Sequence, residues 1–348
     1  MDAEDRDPGK GRQHLRKPGF AHATLLNDKC RHYLHCFNRE EAPMSIRPVK
    51  HLTGTTPHVE GAGVNLQRVF GFGDPGLTDP FLMMDDFRND RPQDYVKGFP
   101  WHPHRGIETI TYVLAGSVDH GDSLGNRGIL GAGDVQWMTA GSGIMHQEMP
   151  KGDAAGRMHG FQLWANLPAR LKMTKPRYQD VKSVEIPDLD EDDGTRVRVV
   201  VGSYRGKTGP VDGIAAEPQY LDITVPPGKR KVFPVDTRRS AFAYIFEGSA
   251  HFRDASTPVG VLVEKEIGGE EIHLRDMSGN RTLVVFGAGD EVVVQAGERG
   301  VRFLLISGAP LKEPVAWHGP IVMNTRAEIA TAVNELRAGT FIKDGVRM

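Results

Sequence analysis

The chain has 348 residues, 43 of them basic and 45 acidic, for a formal charge of −2 and a pI near 6.7. That balance excludes the strongly basic face of a non-specific nucleic-acid binder. A mean hydropathy of −0.39, with no apolar run approaching about 18 residues, excludes a membrane-spanning helix. The charged start, Met1 to Lys10, lacks the apolar segment of a secretory signal, and two cysteines cannot staple 38.3 kDa. The expectation is a cytoplasmic protein, most simply of two domains at roughly 150 residues each. Glycine, at 41 residues, is about 12% against a usual level near 7%. So much turn chemistry points to an all-β chain of many short strands.

Residues 1–44 read as a disordered N-terminal extension, because their charges and histidines have no sustained apolar period to offset ordering entropy. Met44 would also serve as a start. Cys30-Arg-His32-Tyr-Leu-His35-Cys36 invites a zinc reading, but its spacing matches none of the usual frameworks. From residue 45 to 180 strand signals follow one another: Asn65–Phe70, Phe81–Met84, Glu108–Leu114 and, after the turn Gly131-Ala-Gly133-Asp134, Val135–Thr139. The acidic stretch Asp188–Asp193 lies in a segment, 181–215, read as linker and connecting strands. The same grammar returns over 216–325: Tyr220–Val225, Ser240–Phe246, the turn Gly287-Ala-Gly289-Asp290, Glu291–Val294 and Arg302–Ile306. Strand, glycine turn and strand thus occur twice, as an internal duplication of a β-barrel would require. In the C-terminal stretch, 326–348, Ile329, Val333 and Leu336 share one face of a helix over Arg326–Arg337; a short turn is expected near Leu167–Leu171.

The chemistry concentrates in Trp101-His102-Pro-His104-Arg105-Gly-Ile-Glu108 and Gly143-Ile-Met-His146-Gln-Glu148. Residues two apart on a strand share a face, so His102 pairs with His104 and His146 with Glu148. If the two strands face each other across a barrel, three imidazoles and a carboxylate converge. That set suits one divalent iron, manganese, nickel, copper or zinc ion. A six-coordinate ion would keep two positions for water or substrate. Glu108 is the rival carboxylate, four residues past His104; it is ranked behind Glu148, either supporting a ligand or replacing one. His120 reads as a loop residue with surface hydrogen bonds and His159 as a structural histidine on a strand. Trp137, Met138, Phe161, Leu163 and Trp164 read as core. The second repeat has Lys229-Arg-Lys-Val-Phe233 and no His-x-Glu after Asp290, so it is expected to be metal-free.

Asp79-Pro-Phe-Leu82, Asp85-Asp-Phe87, His102-Pro-His-Arg-Gly-Ile-Glu-Thr109, Gly133-Asp-Val-Gln-Trp-Met-Thr-Ala-Gly141, Gly143-Ile-Met-His-Gln-Glu-Met149, His159–Trp164 and His318–Thr325 together resemble the pirin family of the cupin superfamily. The resemblance runs from about Ser45 to Asp344. It implies a bicupin of two β-barrels, with one iron in the first held by His102, His104, His146 and Glu148. Against the general cupin pattern, the final asparagine of the second motif is missing and Thr139 stands where a proline is usual. Some pirins resemble quercetinases, which open the central ring of a flavonol with dioxygen and release carbon monoxide. Others are described as redox-dependent partners of transcription factors or metabolic enzymes. The first reading gives Glu148 the role of general base toward a small aromatic substrate. The second offers the charged segment Asp85–Arg91 as a partner surface.

Overall fold

Runs of β-branched and aromatic residues broken by glycine turns fold as strands. The computed structural model describes residues 44–73, 75–211, 215–252, 266–267, 270–271 and 278–344. Of two units, Met1–Pro43 and Met44–Met348, the first lies outside the described residues, and with it the Cys30–Cys36 cluster. The N-terminal half of the second unit runs β1 (Val49–Gly54), β2 (Thr56–Glu60), β3 (Val64–Phe70), β4 (Phe81–Asp86), β5 (Phe99–His104) and β6 (Ile107–Ala115). It continues with β7 (Ser117–Asp122), β8 (Arg127–Leu130), β9 (Val135–Thr139), β10 (Ile144–Lys151), β11 (His159–Asn166) and β12 (Arg177–Val181). A seven-stranded antiparallel sheet has the order β12-β9-β6-β11-β4-β3-β2, and a four-stranded sheet the order β5-β10-β7-β8. Together they form the first barrel. Strand β5 carries Pro100 and Pro103 and takes the edge, where a missing backbone donor costs no ladder bond.

The second barrel is built on a nine-stranded sheet containing β13 (Asp188–Asp190), β14 (Arg196–Val201) and the strands Gln219–Val225, Ser240–His251, Thr282–Phe286 and Glu291–Gly308. Three features differ from the sequence reading. The stretch after residue 181 is not merely a connector, because β13 and β14 pair into this sheet; Arg196 and Arg198 hold Asp188 at 2.8 and 3.3 Å and offset its charge there. The two strands expected at 291–294 and 302–306 are one 18-residue strand, whose first part pairs with Arg230–Pro234 and whose second part pairs with Gln219–Val225. Strand β1, though first in the chain, pairs with Thr282–Phe286.

One face of the seven-stranded sheet packs on the nine-stranded sheet. Ile110, Tyr112, Trp137, Phe161 and Leu163 meet Phe242, Tyr244, Leu304 and Ile306 in a common core. Strand alternation sends Asp86 to this interface, where it accepts from Arg88 and from Tyr244 at 2.7 Å, while Asp85 on the opposite face is held by Arg68 at 2.8 Å. Both carboxylates are buried. The segment expected to offer a charged partner surface therefore spends its first two charges inside the protein.

The helix α1 (Arg326–Arg337) has the expected bounds. Thr325 and Glu328 form a reciprocal capping box at its start. Ile329 and Leu336 pack against Ile321, Met323 and Phe341. Among the described residues no helix is long and apolar enough to cross a membrane.

Candidate metal centre and its cavity

Strands β5 and β10 are hydrogen-bonded neighbours in the four-stranded sheet, with His146 directly opposite His102. They do not face each other across the barrel, as the sequence reading supposed. Period-two alternation still turns His102, His104 and His146 to one face, where their ligand nitrogens all lie within 4.8 Å of one another. His104 and His146 are buried and His102 is half-buried.

The hydrogen bonds fix the tautomers. Nδ1 of His102 lies 2.8 Å from the Pro100 carbonyl and Nδ1 of His104 lies 3.2 Å from that of Pro320. Carbonyl oxygens only accept, so both Nδ1 atoms carry a proton and the Nε2 atoms are the nitrogens left for a metal. Those Nε2 atoms are 3.1 Å apart. Nε2 of His146 is buried beside them with no protein partner. Burial, and then His102, hold His104 well below the usual imidazole range; burial followed by both neighbouring histidines does the same to His146. With His104 and His146 held neutral, the three imidazoles gather their ligand nitrogens at one point, where a cation would join them. The spacing suits adjacent ligands on an ion with bonds of about 2.1 Å. The residues present therefore fit a divalent transition metal.

Glu148 follows His146 by two residues and faces the same cavity. Its Oε1 accepts from the Thr111 hydroxyl at 3.1 Å, and its Oε2 is 4.0 Å from His146 Nε2. Burial pushes its pKa up, against the pull of His102 and of the Thr111 bond. Thr111 comes from β6 in the opposing sheet, so this bond ties the two walls of the barrel together.

Glu108 goes elsewhere. Its reading assumed an unbroken strand from His104, but the chain turns at Gly106, whose φ is +78°, and enters the other sheet as β6. Glu108 shares a face with Ile110 and Tyr112, opposite to Thr111. Its Oε1 accepts from Thr139 at 2.7 Å and its Oε2 is buried without a hydrogen-bond partner. His120 is not a loop residue: it sits on β7, buried, bonded to Tyr178 and 3.3 Å from Asp180. The glycine and aspartates around it suggested a turn, yet Gly121 pairs within the β7–β8 ladder. His159 begins β11 and bonds Asp90 at 2.6 Å. Of the aromatic and apolar residues expected in the core, Trp137, Met138, Phe161 and Leu163 are there. Trp164 instead lines the cavity and stands edge-on to His104, with centroids 5.1 Å apart.

The cavity holds about 500 Å³ and extends from the histidines along the inner face of the seven-stranded sheet. That is the size of a small-molecule site. Met83, Phe87, Tyr95, Phe99 and Trp164 contribute apolar wall, and Arg68, Asp85, Thr111 and Gln162 a few polar groups. Sequence reasoning missed Arg68, Thr111 and Pro320; alternation along Thr109-Ile-Thr-Tyr112 would have pointed to Thr111.

Arg105, next to His104, is buried; it donates to the carbonyls of Ser142 at 2.7 Å and Phe341 at 2.9 Å, and pairs with Glu335 at 2.7 Å. Lys172 donates to Gly106 O and Val322 O at 2.9 Å each. The C-terminal stretch 316–342 is thereby clasped onto the strand that carries the first two histidines.

This architecture and site have relatives. The Pirin family model matches residues 63–165, and that of the Pirin C-terminal cupin domain residues 220–342. A pirin-like protein of Caulobacter vibrioides is 43% identical over 299 residues, covering 86% of this chain and all of the relative. A Pseudomonas aeruginosa protein provisionally named a quercetin 2,3-dioxygenase is 40% identical, covering 84% of this chain and 97% of its own length. Among solved structures, a quercetin 2,3-dioxygenase from Acinetobacter baumannii superposes with a TM-score of 0.73 at 29% identity, covering 85% of this chain and 99% of that one. With both barrels matched in sequence and the whole length of the Caulobacter relative covered, the chain belongs to the pirin family.

Proposed function

We propose that this chain is a mononuclear non-haem metal dioxygenase of the quercetin 2,3-dioxygenase type, acting on a flavonol-like substrate. His102, His104, His146 and Glu148 are the proposed ligands of one divalent ion, with iron(II) first among the candidates and manganese, nickel, copper and zinc behind it. The observation that carries the reading is the pair of Nε2 atoms 3.1 Å apart on the wall of a cavity of about 500 Å³. The similarity to the Acinetobacter quercetin 2,3-dioxygenase supports the reaction class.

A redox-active divalent ion held by these residues would supply Lewis acidity and one-electron chemistry with dioxygen. The protein's own part is positional and electrostatic. Thr111 holds Oε1 of Glu148 and so aims Oε2 toward the histidine nitrogens; besides serving as a ligand, this carboxylate is the group placed to accept the proton of the substrate's 3-hydroxyl through a remaining lone pair. Pro100 and Pro320 carbonyls hold the two imidazoles in one tautomer, and the apolar walls keep bulk water from the activated ring.

The test is anaerobic purification with metal analysis, then oxygen uptake on quercetin by wild type and Glu148→Gln. Uptake with stoichiometric carbon monoxide, lost in the variant, is the expected result. A metal-loaded wild type without uptake rejects quercetin as substrate. The regulatory alternative, a redox-sensing partner of a transcription factor or metabolic enzyme, drew on segment 85–91, of which Asp85 and Asp86 are buried and Asp90 and Arg91 exposed.

A further inference from the structure

The polar groups of the cavity wall fall into a single row across the seven-stranded sheet. Arg68 on β3 lies directly opposite Asp85 on β4, Asp85 opposite Gln162 on β11, and Gln162 opposite Thr111 on β6. All four line the cavity. Along the same strands the neighbouring cavity-facing residues are apolar: Leu66, Met83 and Trp164. Thr111 bonds both Glu148 and Gln162, at 3.1 and 2.8 Å. A hydroxyl has one proton, so when Thr111 gives it to the Glu148 carboxylate, Gln162 must turn its amide nitrogen to Thr111 and its oxygen to the cavity.

At the other end Asp85 takes both its bonds from Arg68, at 2.8 and 2.9 Å, and Arg68 also donates to Glu60 at 3.0 Å. One guanidinium thus serves two carboxylates, and His58, 3.0 Å from Glu60 and 3.3 Å from Arg68, completes the cluster. Each Asp85 oxygen keeps a lone pair beyond its Arg68 bond. A substrate carboxylate or phosphate would approach two carboxylates there, whereas a neutral O–H donor would meet acceptors. Asp85 is two strands from Thr111, roughly 10 Å at the usual spacing. That length fits a rigid planar molecule held at the histidines by one ring and reaching this pair with another.

Resting on the reading of a flavonol-like substrate, we propose that Asp85, oriented by Arg68, together with Gln162 accepts hydrogen bonds from hydroxyl groups on the far ring and sets the specificity of the site. The ligands are polyhydroxylated, uncharged aromatics; analogues lacking the distal hydroxyls leave buried acceptors unpaired.

The experiment titrates the protein as purified with quercetin and with 3-hydroxyflavone, which has the same enol and no hydroxyls on its other rings, following tryptophan fluorescence. Wild type binds quercetin at least about tenfold tighter, the value of one hydrogen bond to a charged acceptor. Gln162→Leu and Asp85→Asn each shrink that ratio by weakening quercetin and leave 3-hydroxyflavone unchanged. A purely structural role would weaken both ligands alike. Should Asp85→Asn fail to fold, Gln162→Leu, which breaks no ion pair, carries the test. Equal affinity of wild type for the two flavonols, or a ratio untouched by Gln162→Leu, overturns the proposal. Hydroxyl-dependent binding without turnover sustains it and rejects quercetin as the substrate; turnover without discrimination overturns it and sustains the dioxygenase reading. Failure of both flavonols to bind removes both.

Discussion

Replacing Glu108 by glutamine separates a buried structural carboxyl from a metal ligand. Glu108 is 2% exposed, and burial raises its pKa from the ordinary 4.5 to about 7, against the smaller opposing pull of its Thr139 bond. A raised native pKa means that the folded protein binds the proton that the unfolded chain has already lost. The group's contribution to stability is therefore complete below pH 4.5 and disappears as the pH climbs through 7. At 1.36 kcal/mol per unit the loss amounts to about 3 kcal/mol. Glutamine keeps the shape and an oxygen for Thr139 but never ionises. Urea unfolding of the two proteins side by side should give nearly equal stability at pH 5 and a variant more stable by about 2–3 kcal/mol at pH 8. Taking the difference at each pH cancels every other titrating group. Metal content should not change. A variant destabilised equally at all pH values would refute the buried-charge account, and loss of metal would return Glu108 to the ligand set.

Arg105→Ala strands two carbonyls, leaves Glu335 with Lys343 alone at 2.8 Å, and removes a guanidinium stacked 4.1 Å from the Phe341 ring. The expected cost is about 3–5 kcal/mol, read as a lowered urea midpoint together with weaker metal retention on dialysis; an unchanged midpoint contradicts the clasp. Gly106→Ala should cost at least about 2 kcal/mol, since a Cβ there would enter the Val322 carbonyl oxygen at a φ of +78°. Wild-type thermal stability in that variant would show that the 316–323 hairpin does not pack as described.

Much of the fold was legible because its signals are local. Val135–Thr139 and Arg326–Arg337 have the bounds their patterns indicate, the first from a glycine turn and β-branched residues, the second from an apolar face. Alternation correctly grouped His102 with His104 and put His146 on the same wall as Glu148, since a two-residue period survives any later pairing. It failed for Glu108 because one glycine at positive φ resets the parity between β5 and β6. Which strands become neighbours is a long-range matter. Nothing in the residues of β5 or β10 distinguishes hydrogen-bonded partners from opposite walls, and β1 joins a strand more than 200 positions away. The groups that orient the site were hidden for the same reason: the carbonyl facing His104 belongs to Pro320.

That last contact bears on why a second barrel without a His-x-His motif accompanies the first. The nine-stranded sheet closes the outer face of the seven-stranded one with Phe242, Tyr244, Leu304 and Ile306, so the cavity-bearing face is held by a packed core behind it. The chain then leaves the second barrel and returns across the first, where Ile321 bridges Arg105, Val322 N donates to the Arg105 carbonyl at 3.0 Å, and Lys172 ties Val322 to Gly106. Gly319 and Pro320 thereby become cavity wall. Were the histidines sufficient alone, the His104 ring would be free to exchange tautomers and present Nδ1 or Nε2. The Pro320 carbonyl removes that freedom and keeps the lone pair on the nitrogen facing His102 and His146. The C-terminal half thus serves the site through packing and through one fixed imidazole, tasks that require its fold and no ligand residue of its own.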